Sequence, residues 1–195
     1  YDADAGRYTL TLSQSCASTP GQPNKLPFVI PVALGLLDAQ GNALPLQLDG
    51  EATAGSTERT VVLTEESLTL GFVNVTSQPV PSLLRGFSAP VVLDHDYSDT
   101  ELLTLLAHDG DAFNRWEAGQ RLMLRIAINA IADSTITEGA NGQIDQNLLP
   151  DALVQAMRAV LRHPQLDAAF KELVLTLPSE SYIAEQLTQV DPQRV

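Results

Sequence analysis

The 195 residues carry 44% hydrophobic and 18% charged side chains, the balance of a folded globular chain with room for one large or two small domains. The net charge of -13 falls on both halves, with nine acids against four bases in 1–95 and fifteen against seven in 96–195. Such a surface repels phosphate backbones, which argues against nucleic-acid binding, and it offers no polybasic cluster to hold an anionic membrane surface. No run reaches the roughly 18 apolar residues of a membrane span. The single cysteine, Cys16, makes no internal disulfide, in keeping with a reducing compartment.

The chain opens on Tyr1-Asp2-Ala3-Asp4-Ala5-Gly6-Arg7, with Asp and Gly placed as in a hairpin turn, so a strand is expected on each side. Tyr8, Leu10 and Leu12 alternate with polar residues and predict a half-buried strand. After a polar loop with Pro20, Gly21 and Pro23, a strand is expected over Phe28 to Leu37. It turns at Asp38–Asn42 into a hairpin with Leu44, Leu46 and Leu48. Further strands are expected at 60–63, 68–75, 80–87 and 91–93, with Pro79, Pro81 and Pro90 at starts or edges where a missing N–H is tolerated. Six or seven short strands predict an antiparallel β-sandwich of immunoglobulin-like architecture over 1–95, without the Cys and Trp markers of that family.

From residue 96 the period becomes helical. Ser98 and Glu101 form a capping box ahead of Leu102, Leu103, Leu105 and Leu106, and Gly110 stops that helix. Asp111 caps a second helix with an apolar face of Phe113, Trp116, Leu122, Met123, Ile126, Ala127 and Ile131. A loop is expected over 133–147. Pro150 opens a third helix, whose stripe runs Leu153, Ala156, Met157, Val160 and Leu161 up to His163-Pro164. Asp167 starts a short helix to Leu175, and Ser179 caps another reaching Thr188. Residues 96–195 thus read as short antiparallel helices in a superhelix-like array.

The residues that carry chemistry elsewhere read structurally here. His108 and His163 fall at predicted helix C-termini, where an imidazolium suits the dipole. His95, between Asp94 and Asp96, reads as a polar link between the domains. None of the three lies at a metal-ligand spacing from another. Asp94, Asp96 and Ser98 are spaced like the start of a calcium loop, but Asp99 stands where glycine is needed and Leu105 where the bidentate Glu belongs. Asp109-Gly110-Asp111 reads as a helix stop followed by a cap. Cys16 has no histidine nearby in sequence. No nucleophile elbow or phosphate loop occurs, and Asn74-Val75-Thr76 is a chance glycosylation triplet. Trp116 with Phe113 reads as helix core. No catalytic, cofactor-binding or metal-binding residue is assigned.

Two segments carry a resemblance: Gln78-Pro79-Val80-Pro81-Ser82-Leu83-Leu84-Arg85-Gly86-Phe87-Ser88-Ala89-Pro90-Val91 and Asp111-Ala112-Phe113-Asn114-Arg115-Trp116-Glu117-Ala118-Gly119-Gln120. With Tyr8–Gln14, Pro27–Val32 and Leu175–Ser179 they make the chain similar to the bacterial aminopeptidase N family of zinc-dependent alanyl aminopeptidases. The resemblance implies the small β-sandwich and the first helices of the C-terminal helical domain of a longer enzyme. The family's zinc ligands, His-Glu-x-x-His and a later Glu, and its amine-binding loop have no matching positions here. The resemblance therefore implies zinc and peptide substrates for the parent and a scaffold role for this piece. It implies a catalytic domain and remaining helices in cis, and a cytoplasmic location with peripheral inner-membrane association as a variant. An uncovered helical face then offers a route to a dimer. The competing reading is a free-standing sandwich-plus-helix adaptor.

Overall fold

Alternation along Tyr8–Ser13 and Ser67–Phe72 builds one sheet, and the apolar run Ile30–Leu37 organises the other. The computed structural model describes residues 1–132 and 150–191, and the loop expected over 133–147 lies outside them. The strands are β1 (Tyr8–Ser13), β2 (Ile30–Leu37), β3 (Glu58–Leu63), β4 (Ser67–Phe72) and β5 (Val80–Leu83). The sheets are β1-β4 and β3-β2-β5, all antiparallel, with Leu10 opposite Leu70, Val32 opposite Val61 and Gly35 opposite Ser82. Leu10, Leu70 and Phe72 from one sheet meet Leu34, Leu36 and Leu83 from the other in a single buried cluster, so the sheets pack face to face. Pro31 sits where β2 is paired only with β3, because β5 covers Leu34 to Leu37 alone.

The opening turn forms: Asp2 and Arg7 exchange backbone hydrogen bonds of 2.8 and 3.0 Å, and Gly6 takes a φ of 56°. The turn after β2 forms too. One Asp38 carboxylate oxygen accepts from the Gln40 and Asn42 N–H groups at 2.9 and 2.8 Å. The leucines that follow depart from the expected hairpin. Leu44 N–H reaches Leu36 O, but Leu46 pairs with Ser56 and Gly55, and Leu48 bridges to Phe72. This segment leaves β2 and passes to β4, with the side chains of Leu46 and Leu48 still directed to the core. The strand expected at 91–93 is irregular, with Val92 96% exposed, and the strand expected over 80–87 ends at Leu83.

The helices are α1 (Asp99–His108), α2 (Ala112–Ala132), α3 (Asp151–Arg162), α4 (Ala168–Leu175) and α5 (Glu180–Glu185). The capping box is reciprocal, with Ser98 N–H donating to Glu101 at 2.8 Å and Glu101 N–H to Ser98 Oγ at 3.3 Å. Asp111, Asp167 and Ser179 accept from the N–H groups of Asn114, Phe170 and Tyr182. The helix after Ser179 ends at Glu185, short of Thr188. α1 packs on α3 and α3 on α4, burying Leu102, Leu105 and Leu106 with Leu153, Ala156, Val160 and Val174. Leu161, expected on that buried stripe, is 57% exposed.

By its contacts the chain divides into two units. One is 1–96 together with 109–114, and the other is 97–108 together with 115–195. The segment joining α1 to α2 thus belongs with the sandwich.

Candidate functional site

The most concentrated polar chemistry lies inside the first unit, where the 78–91 segment meets 109–114. β5 ends at Leu83, and the chain then makes a 3-10 turn over Arg85–Phe87, with Leu84, Gly86 and Phe87 at φ of 56°, 60° and 53°. Left-handed backbone at Leu84 and Phe87 costs about 1–2 kcal/mol each against local preference, so surrounding contacts must hold it. Those contacts are present. Ser88 Oγ accepts from Ala33 N–H at 3.0 Å, beyond the end of β5, and Ala89 is buried with Val32 and Leu84. Gly86 N–H donates to an Asp111 oxygen at 2.9 Å, and the Phe87 ring lies 5.2 Å from that of Phe113.

The elbow aims Arg85 at a buried carboxylate. Arg85 Nη1 donates to Asp109 Oδ1 at 2.8 Å and to Ser82 Oγ at 2.9 Å, while Nε reaches Glu58 at 2.7 Å. Asp109 is fully buried, and the same Oδ1 accepts from Asp111 N–H at 2.8 Å. Asn114 Nδ2 donates to Ser82 Oγ at 2.7 Å, both residues being buried. Burial pulls the Arg85 pKa down, but Asp109, Glu58 and Asp111 together outweigh it and hold the guanidinium above its ordinary value. Gly35 supplies the space: a Cβ there would stand 3.1 Å from Arg85 Nη1 and 3.1 Å from Thr57 O. Asp109 was expected only as part of a helix stop. Ser82, Arg85 and Asn114 fall within the two segments that carry the resemblance, but no role of their own is assigned to them from sequence.

The second resembling segment explains itself in the helical unit. Arg115, 3% exposed, donates to the Leu106 and Ala107 carbonyls at 3.3 and 3.0 Å, satisfying the C-terminus of α1. Gln120 Nε2 donates to Thr176 O at 2.9 Å, just past α4. A Cβ at Gly119 would meet Leu106 Cδ1 at 3.3 Å. Arg125 pairs with Asp99 at 2.5 Å and donates to Tyr97 O. These are packing and capping roles.

The other candidates are dispersed. Cys16 is exposed on an open groove with Lys25, Phe28 and Glu66. His95 is half-buried in the first unit, His108 is exposed at the last residue of α1, and His163 is the C-cap of α3, its Nδ1 accepting from Gln165 N–H at 3.2 Å. Asp94 and Asp96 are exposed, and Ser98 is engaged in its cap. Trp116 and Phe113 are half-buried on α2. Among the described residues no three His, Cys, Asp or Glu side chains converge as metal ligands, so the donor set does not fit a zinc ion. No described helix is long and apolar enough to cross a membrane. The Arg85–Asp109 pair is thus held by Ser82 Oγ, Glu58 and the Asp111 N–H, and through these bonds it positions the backbone of the elbow against 109–114.

Fold and site together define a β-sandwich domain followed by an antiparallel helical domain, each built around structural polar contacts. Residues 1–96 match the family described as a domain of unknown function (DUF3458) with an Ig-like fold, and residues 99–195 its companion (DUF3458_C) of ARM repeats. The chain belongs to this Ig-like and ARM-repeat pair. It is similar over its length to aminopeptidase N of Escherichia coli K12, 38% identical over 98% of this chain and 21% of the relative. Aminopeptidase N of Haemophilus influenzae is 34% identical over 100% and 21%, and that of Caulobacter vibrioides 40% over 98% and 20%. The crystal structure of Legionella pneumophila aminopeptidase A in complex with aspartic acid superposes with a TM-score of 0.70 at 25% identity, covering 99% of this chain and 19% of that one. The chain spans about a fifth of the length of each.

Proposed function

We propose that this chain is a non-catalytic scaffold piece of a longer zinc-dependent aminopeptidase that removes N-terminal residues from peptides. The supporting observation is the end-to-end match to a fifth of each aminopeptidase N relative, together with polar residues committed to holding backbone rather than meeting a substrate. In this reading the sandwich, bounded near residue 95, links a catalytic domain that holds the zinc to the helical domain. Residues 96–195 are the first helices of that domain, no residue of this chain is catalytic, and the parent is cytoplasmic. Leu161, Leu173, Leu177 and Tyr182, each 46–65% exposed, are apolar side chains open to further helices in cis, or to a second copy when those are missing.

The reading frame of the parent gene tests this directly. A His-Glu-x-x-His upstream is expected, and its absence favours a free-standing adaptor. Purified chain should neither bind zinc stoichiometrically nor cleave an aminoacyl anilide, and either activity would overturn the scaffold reading.

A further inference from the structure

The path of the chain between its two units carries a consequence for how they unfold. The chain leaves the first unit after Asp96, returns to it at Asp109, and leaves again after Asn114. The helix Ala112–Ala132 starts in that returning segment and continues unbroken into the second unit. Within the first unit the returning segment is held by buried polar bonds, Arg85 to Asp109 and Asn114 to Ser82, and by Gly86 to Asp111. Releasing it would leave the Arg85 guanidinium, whose side chain is 14% exposed, without its buried partner. In sequence the segment follows directly on His108, the last residue of α1, and includes the first three residues of α2. We propose that Asp109–Asn114 is a tie that makes the sandwich and the helices open as one cooperative unit, although each has its own core.

Native-state hydrogen exchange of the 195-residue chain in graded urea tests this, with amides of β2 and of α1 as reporters. In the wild type both sets should lose protection along a common curve. In Asp109→Asn the curves should separate, the less stable set exchanging on the order of a hundredfold faster at fixed low urea than in the wild type. Asn114→Ala, which removes only the bond to Ser82, should separate them less, and it decides the matter if the first variant does not fold. Glu58→Gln, at the exposed end of the cluster, should leave them together. Curves already separate in the wild type, or variants that shift both sets equally, would overturn the proposal.

Discussion

Replacing Gly35 by alanine opposes two effects of known sign. Alanine restricts the unfolded chain and by that route stabilises by about 0.4–1 kcal/mol wherever the native backbone accepts it. At Gly35 the backbone is ordinary strand, so conformation raises no objection. Space does. The new Cβ would stand 3.1 Å from both Arg85 Nη1 and the Thr57 carbonyl, a few tenths of an ångström too close. The guanidinium cannot simply swing aside, since bonds of 2.7, 2.9 and 2.8 Å to Glu58, Ser82 and Asp109 fix it. Overpacking of this kind costs about 1–3 kcal/mol, so we expect a net loss of about 1–2 kcal/mol. Urea denaturation followed by circular dichroism measures it through the midpoint, with the slope unchanged. Gly35→Val should lose more. A Gly35→Ala protein as stable as wild type, or more so, would show that the slot is not tightly packed and that the account of Arg85 is wrong.

Arg115→Met should destabilise the helical unit by about 1–3 kcal/mol, because the Leu106 and Ala107 carbonyls lose their donor, and Trp116 fluorescence should report the lower urea midpoint. Neighbours on α3 should behave oppositely. Val160→Ala, at 0% exposure, should cost about 1.5–3 kcal/mol, and Leu161→Ala, at 57%, should stay within about 0.5 kcal/mol by thermal melts. Glu51, hydrogen-bonded to Arg59 and to Leu48 N–H, has its pKa lowered from 4.5 to about 2. Its contribution is therefore complete above pH 4.5 and fades as pH falls towards 2, so Glu51→Gln should flatten stability against pH across that window. An unchanged acid limb would count against the pairing.

The capping residues were readable because their partners lie three positions away: Ser98 with Glu101, Asp111 with Asn114, Asp167 with Phe170. Strand existence was readable from alternation, but partnership was not. Leu44, Leu46 and Leu48 alternate as a strand should, and only the folded sheets show that the chain crosses from β2 to β4 there. Val91 and Val92 are β-branched and apolar, yet they stand in solvent, where propensity found no ladder to join. The cluster around Arg85 was invisible for a different reason. The bonds that join its three segments, around Glu58, Ser82–Arg85 and Asp109–Asn114, span 24 to 32 residues, so no periodicity links them.

The elbow at Leu84–Phe87 has a consequence for substitution. Its shape is dictated by distant neighbours and opposed by its own side chains, so the replacements that suit the backbone and those that suit the core point in different directions. At Gly86 asparagine should be the least costly exchange and a β-branched residue the worst. At Leu84 glycine would relax the backbone and empty a buried site at once, which leaves no single replacement that satisfies both demands. A residue compromised in this way is fixed in identity by contradiction rather than by fit.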